Sequence, residues 1–195
     1  MIKIKSNEFS EIDYRRLAKL HIDSIPDTSI SIIGERAAAL MYRFIHESKK
    51  ELLLAATIDG TIYGGIVVSY EPATISRRFI KTYPIRFAAR FFPSFIQNIS
   101  RLPELFKLFA ADDPYKYSPE LMFLYTDQKL RSKGIGRFLV KEIALQIKEI
   151  SPLLYVRTLD NKENRAIPFY ERNGFKIYEA IEHLGKIQIV MVSEL

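Results

Sequence analysis

Arg131-Ser132-Lys133-Gly134-Ile135-Gly136 stands between an apolar run, Leu121 to Thr126, and an amphipathic stretch from Gly134 to Ile150. The run has the length and apolar continuity of a buried strand. The stretch repeats Ile135, Phe138, Leu139, Ile143, Ile147 and Ile150 at helical spacing, so it reads as a helix with those side chains toward a core. A second apolar run, Leu153 to Leu159, follows as a strand. Strand, helix and strand in that order form a βαβ unit, which requires locally parallel strands. Two glycines at the turn let the backbone bend tightly and aim its amide hydrogens outward. The helix N-terminus adds partial positive charge, and Arg131, Lys133 and Arg137 add fixed cations. That combination suits a phosphate or pyrophosphate, although a Gly-rich turn that serves packing alone has the same outline. The spacing is neither that of a dinucleotide fingerprint nor that of a Walker loop.

The pattern extends in both directions. Ile2 to Ser6 alternates as a short strand. Glu11 to Ser24, with Ile12, Leu17, Leu20 and Ile25, is helical and stops at Pro26; Gly34 to His46 is a second helix. Glu51 to Ile58 and Thr61 to Tyr70 form a hairpin about Asp59-Gly60. Gly64-Gly65 inside the returning strand implies a bulge or a close neighbour. Beyond the βαβ unit come a helix, Asn164 to Arg172, stopped by Gly174, and a closing hairpin of Phe175 to Ala180 with Ile187 to Val192. From about Pro72 to Pro119 the pattern breaks: Pro84, Pro93, Pro103, Pro114 and Pro119 punctuate two to four short helices. The expected architecture is α/β: a mixed, mostly antiparallel twisted sheet with helices on both faces and a helical insertion between the third and fourth strands. One domain is expected over residues 1–195, with the insertion at about 72–119.

Composition narrows the function. With 48% apolar residues the chain can bury a sizeable core. It has no cysteine, which excludes disulfides, Cys-ligated zinc and thiol nucleophiles. His21, His46 and His183 are scattered without ligand spacing, so no metal is expected. There is neither a signal-peptide apolar region nor a run long enough to span a bilayer, and a cytoplasmic protein is expected. The net charge of +6 has one source. Between Ile75 and Ala110 seven basic residues (Arg77, Arg78, Lys81, Arg86, Arg90, Arg101, Lys107) face one acid, Glu104, while the rest of the chain has 22 of each sign.

A second motif lies about thirty residues beyond the Gly-rich turn. Ala166, Tyr170 and Gly174 recur every four residues within Ala166-Ile167-Pro168-Phe169-Tyr170-Glu171-Arg172-Asn173-Gly174-Phe175. For Phe169 and Phe175 core packing suffices as an explanation, but a tyrosine hydroxyl on a buried face needs a partner or a role. The two motifs in this order resemble the Q/R-x-x-G-x-G/A loop and the FYxxxGF element of the GNAT acetyltransferases. The resemblance covers Leu121 to Leu195, extends to Met1 to Tyr70, and leaves the insertion aside.

The resemblance implies acetyl-CoA as the acetyl donor, with the amides of Ser132, Lys133, Gly134, Ile135 and Gly136 on its pyrophosphate. It implies that Leu124, Tyr125 and Thr126 splay from their neighbouring strand and bind the pantetheine arm through backbone groups, one N–H polarising the thioester carbonyl. Tyr170 would give its proton to the leaving thiolate, after direct attack by a substrate amine in a ternary complex. Family members carry an Asn where this chain has Glu163, with Asn164 one residue later, so a contact of Asn164 with the CoA arm departs from the pattern. In histone-acetylating members a Glu base stands eleven residues before the loop; here that position is Glu120, for which a solvated strand-entry residue is the alternative. Glu71, Asp112 and Asp113 are further carboxylates to consider as base.

The basic stretch also holds eight aromatics: Phe79, Tyr83, Phe87, Phe91, Phe92, Phe95, Phe106 and Phe109. They fit a seal against the domain, but the scarcity of acids needs a further reason. Arg86 and Arg90, on one helical face, suit an anionic acceptor such as a nucleotide-linked amino sugar. Loose similarity of His21, Ser24, Pro26, Ser31 and Gly34 to GNAT members of surface-polysaccharide pathways points the same way. The alternative is a non-catalytic CoA-binding module whose insertion contacts nucleic acid or a membrane surface.

Overall fold

The computed structural model describes residues 1–26, 28–97, 117–160, 165–183 and 185–195, without the side chains of 29 and 93–97. Its strands are β1 (Lys3–Lys5), β2 (Glu51–Ile58), β3 (Thr61–Ser69), β4 (Glu120–Thr126), β5 (Leu153–Leu159), β6 (Lys176–His183) and β7 (Lys186–Glu194). They form one seven-stranded sheet in the order β1-β2-β3-β4-β5-β7-β6. Every neighbouring pair is antiparallel except β4 with β5. The described helices are α1 (Glu11–Ser24), α2 (Ser29–Ile33), α3 (Glu35–Glu47), α4 (Ile75–Thr82), α5 (Pro84–Gln97), α6 (Ile135–Ile147) and α7 (Ala166–Glu171).

The central strands β2 and β3 are apolar on both faces because both are covered, whereas β6 at the edge is largely exposed. Along β2, Leu53 and Ala55 join the core under α1, α3 and α4, while Leu54 and Ala56 join the core under α6 and α7. This is the period-two alternation of a strand with each phase buried. Helix α1 starts on a capping box: the Ser10 Oγ accepts from the Asp13 amide at 3.2 Å, and the Ser10 amide donates to Asp13 Oδ2 at 2.7 Å.

The glycine pair explains how closely the layers approach. A Cβ on Gly64 would lie 3.0 Å from Ile135 Cγ2 of α6, and one on Gly65 would lie 2.4 Å from the Tyr125 hydroxyl. Each glycine therefore admits a neighbour on its own face, and the bulge falls beside them, where Ala56 opposes Gly64 and Thr57 opposes Ile62.

Three expectations need correction. Helix α2 was not foreseen; Thr28 caps it by accepting from the Ser31 amide. Pro93 lies inside α5 rather than ending a piece, while Pro84 opens that helix, the position where a missing N–H costs nothing. Ile150 is exposed, because α6 ends at Ile147, whose carbonyl accepts from both Ile150 and Ser151 in a turn.

His21 is 0% exposed and clips α1 to its neighbours. Its Nδ1 lies 2.7 Å from Tyr42 Oη and its Nε2 lies 2.9 Å from Thr28 Oγ1, with the rings of Phe123 and Tyr125 against the imidazole. None of these neighbours is charged, and burial depresses the imidazole pKa to about 3 from 6.5. The unfolded chain thus takes up a proton below pH 6.5 that the folded chain refuses down to pH 3. Stability should be unaffected by this group above that window and fall within it by up to about 1.4 kcal/mol per pH unit as pH drops. Urea denaturation between pH 6.5 and 5 should show this slope for the native chain and lose it in His21→Gln; equal slopes would mean that His21 is accessible to protons.

Candidate active site

The parallel junction between β4 and β5 is short. Glu120 opposes Tyr155 and Leu121 opposes Val156, and the Tyr155 amide donates to the Pro119 carbonyl at 3.0 Å. The register of β4 against β3 slips at this point: Val68 opposes Leu121 but Val67 opposes Phe123, so Met122 is an extra residue. A bulge of this kind bends its strand. Beyond it β4 continues along β3 to Thr126 and has no further pairing with β5. The two strands therefore diverge, as the family resemblance implies.

A buried ion pair holds the apex of the wedge. Arg157 Nε donates to Glu120 Oε1 at 2.8 Å and its Nη2 donates to Oε2 at 3.0 Å. Glu120 is 4% exposed. It is neither a solvated strand-entry residue nor an unengaged carboxylate: both oxygens are committed to one guanidinium, bidentate geometry that fixes the two strands. Glu71 is likewise engaged, by Lys50 and by Arg78. Asp112 and Asp113 lie outside the described residues.

Ladder alternation decides which backbone groups face the wedge. The Asp127 amide donates to the Tyr63 carbonyl at 2.7 Å, so Tyr125 and Phe123 bond toward β3, whereas Leu124 and Thr126 turn their N–H and C=O away from it. This corrects the expectation for Tyr125. Its backbone is committed to β3, and its side chain is buried against Gly65, His21 and Tyr42. The Thr126 carbonyl accepts from Ser24 Oγ at 2.9 Å, which ties the end of α1 to the wedge.

The chain then enters the Gly-rich loop from a fixed point. Arg16 donates through Nη2 to Asp127 Oδ2 at 2.8 Å and through Nε to the Ile62 carbonyl at 3.0 Å. Asp127 also accepts from the Lys129 amide and so caps the 3-10 turn Gln128–Leu130. That bond and the Arg16 guanidinium hold its carboxyl below the usual range. Arg16 and Asp127 were missed from sequence, where only an Asp-x-Lys turn signal could have pointed to Asp127; Ser24 was noted only as part of a loose resemblance.

Ser132 and Gly134 adopt φ values of 63° and 81°. Alternating left-handed residues turn successive amides to one side, and the first-turn amides of α6, from Ile135 to Arg137, have no partner within the helix. A Cβ on Gly136 would press on the Phe169 ring at 3.3 Å, so this glycine also seats α7. Arg131, Lys133 and Arg137 are exposed and form no ion pair among the described residues. A polyanion suits this loop.

Tyr170, on α7, is buried between the rings of Phe169 and Phe175, with centroids 5.3 Å away in both cases. Burial raises its phenol above the ordinary value of 10. Asn164 lies outside the described residues. On the face opposite α6, Tyr155 packs with Tyr117 and Tyr178, at 5.5 and 6.1 Å, and the Tyr117 hydroxyl donates to Glu179 at 2.6 Å.

Arg86 and Arg90 are not brought together with the loop. Helix α5 packs on α2, α3 and α4. Arg86 lies over the Tyr83 ring, and Arg90 lines a cleft of about 280 Å³ with Glu11, Arg15, Glu35, Arg36 and Ala39. None of Leu124 to Arg137 lines that cleft.

The Acetyltransferase (GNAT) domain family matches residues 107–177. No curated protein matches the sequence. Among solved structures, a GNAT-family protein from Desulfovibrio desulfuricans is 12% identical, with 100% of this chain and 99% of that chain covered and a TM-score of 0.65. The ribosomal-protein-S18-alanine N-acetyltransferase of Escherichia coli is 13% identical, with coverages of 100% and 94% and a TM-score of 0.60. A GNAT family acetyltransferase from Elizabethkingia anophelis with acetyl-CoA bound is 16% identical, with coverages of 100% and 98% and a TM-score of 0.55. At these identities the likeness establishes the fold.

If Glu120 and Arg157 clamp the wedge, Glu120→Ala should cost about 3–5 kcal/mol, because it strips a buried cation of its carboxylate. The double variant Glu120→Ala, Arg157→Leu should recover a large part of that loss in chemical denaturation. A single variant as stable as the native chain would contradict the clamp.

Proposed function

We propose that this chain is a GNAT acetyltransferase that transfers an acetyl group from acetyl-CoA to a primary amine; the match of residues 107–177 to the GNAT domain family and the shared fold support this reading. The observation that carries this reading is the wedge between β4 and β5, opening beside a left-handed, cationic loop at a helix N-terminus. The amides of Ser132 and of Gly134 to Arg137 would hold the pyrophosphate, with the side chains of Arg131, Lys133 and Arg137 around it, while the Lys133 amide bonds the Leu130 carbonyl. Leu124 and Thr126 would bind the pantetheine arm, and their N–H groups are the candidates for polarising the thioester carbonyl. The donor supplies an activated acyl carbon and a thiolate leaving group; the amine attacks directly in a ternary complex.

Tyr170 would serve the leaving sulfur. Burial keeps the phenol protonated through the neutral range, so it acts as a donor and not as a base. Glu120, held by Arg157, is not assigned as the base, and proton removal from the amine falls to water.

The placement of Arg86 and Arg90 gives no support to an anionic amino-sugar acceptor. The surface bordering the junction favours a different acceptor. Tyr155, Tyr178 and Glu179 make it aromatic and acidic, chemistry that attracts an ammonium group, while the Tyr117 ring is already faced by the Arg157 guanidinium.

Calorimetry should show CoA binding that weakens at least tenfold when Arg131, Lys133 and Arg137 are all changed to Gln, with no change in melting temperature. Tyr170→Phe should keep CoA affinity and lower turnover on an amine panel by roughly 10²–10⁴. No alkaline loss of turnover below pH 10 should trace to Tyr170, since its pKa is raised from that value. A chain that does not bind CoA, or a Tyr170→Phe variant with full turnover when chemistry limits the rate, would overturn the assignment.

A further inference from the structure

Residues 72–97 contain five cations and no acid. Arg77 and Arg78 are engaged within the fold, and Arg90 faces a cleft. Arg78 Nη1 donates to Oε2 of the buried Glu51 at 3.1 Å, and its Nη2 bonds the other oxygen. Arg90 lines the cleft that contains Glu11 and Glu35. Lys81 and Arg86 are exposed, Arg86 beside the Tyr83 ring, on a surface where residues 72–97 offer nothing negative.

Helix α5 is apolar on two sides. Inward, Phe87 and Phe91 stack at 5.3 Å and pack against Ile32, Ile33 and Ala37. Outward, Ile85, Ala89 and Phe92 follow one another at intervals of four and three, the spacing of a single helical stripe. Ile85 is 83% exposed and Phe92 61%, and Ala88 and Ala89 are exposed beside them. A helix on a water-facing surface ordinarily turns a polar face outward. An exposed apolar stripe flanked by a cation, here Arg86, with Lys81 on the preceding helix, is instead the pattern of a helix lying in a lipid interface. Among the described residues no helix is long and apolar enough to cross a membrane, so lying on the surface is the geometry available.

We propose that helix α5 docks the protein onto an anionic lipid surface. Ile85, Ala89 and Phe92 enter the headgroup region, while Lys81 and Arg86 meet lipid phosphates. The charge excess selects an anionic partner, and the aliphatic Ile85 selects lipid over nucleic acid, where a phosphate backbone gives it nothing to enter. This inference is independent of the acetyltransferase reading.

The test uses the full chain with vesicles of phosphatidylglycerol and phosphatidylcholine. Sedimentation should show binding to the mixed vesicles, little binding to phosphatidylcholine alone, and loss of binding as salt rises. Lys81→Gln and Arg86→Gln should each weaken binding about fivefold. Ile85→Asp with Phe92→Asp should weaken it tenfold or more while the melting temperature holds. Because the chain has no tryptophan, Ile85→Trp provides a reporter whose emission should shift to the blue on adding anionic vesicles. No binding to anionic vesicles, binding unchanged by the two Asp substitutions, or an unshifted emission from the Ile85→Trp variant would overturn the proposal. So would salt-sensitive binding to an RNA or DNA duplex without vesicle binding, or self-association abolished by the Asp substitutions.

Discussion

One short parallel contact sets the geometry of the site. β4 and β5 meet only over Glu120–Leu121 and Tyr155–Val156, and the Glu120–Arg157 ion pair sits at that contact. Just beyond it the extra residue Met122 bends β4. Because β4 follows β3 and leaves β5, backbone groups in the middle of a sheet are left facing a gap. Buried backbone polar groups are ordinarily paired, so the wedge invites a partner with donors and acceptors in strand-like order. An amide-bearing chain such as pantetheine meets that need.

The loop that closes one end of the wedge is prepared before any ligand arrives. Asp127 fixes its first turn, and Arg16 fixes Asp127 while also bonding Ile62 of β3. The left-handed Ser132 and Gly134 then orient the amides. Gly64 on β3 lets Ile135 approach, and Gly136 lets Phe169 approach, so glycines of the strand and of the loop together bring α6 and α7 to the sheet. Preorganised donors of this kind need little rearrangement on binding. Ser24, on Thr126, extends the network to the end of α1.

Elements with a strong period were legible from sequence: the seven strands, the α1, α3 and α6 helices, and the loop with its two glycines. Divergence of β4 from β5 was legible only through resemblance, because nothing in Leu121–Thr126 marks where pairing ends. Glu120 was found by counting, but its partner Arg157 is 37 residues away, and long-range ion pairs leave no local signature. Tyr125 was misjudged because backbone direction depends on register, and a single bulged residue reverses it. Arg86 and Arg90 were grouped correctly on α5, yet where that helix docks depended on Phe87 and Phe91 finding Ile32, Ile33 and Ala37, a tertiary choice that charge pattern does not encode. The outward stripe of Ile85, Ala89 and Phe92 becomes visible only once the inward face is known.

The central claim is that CoA occupies the wedge and the loop through backbone amides. Residue-resolved amide hydrogen exchange with and without CoA tests it directly. Leu124, Thr126 and the amides of Ser132 and Gly134 to Arg137 should gain protection on binding, and Tyr125, already bonded to β3, and Lys133, already bonded to the Leu130 carbonyl, should not change. Protection confined to residues lining the Arg15, Arg36 and Arg90 cleft, with the loop amides unchanged, would contradict the account.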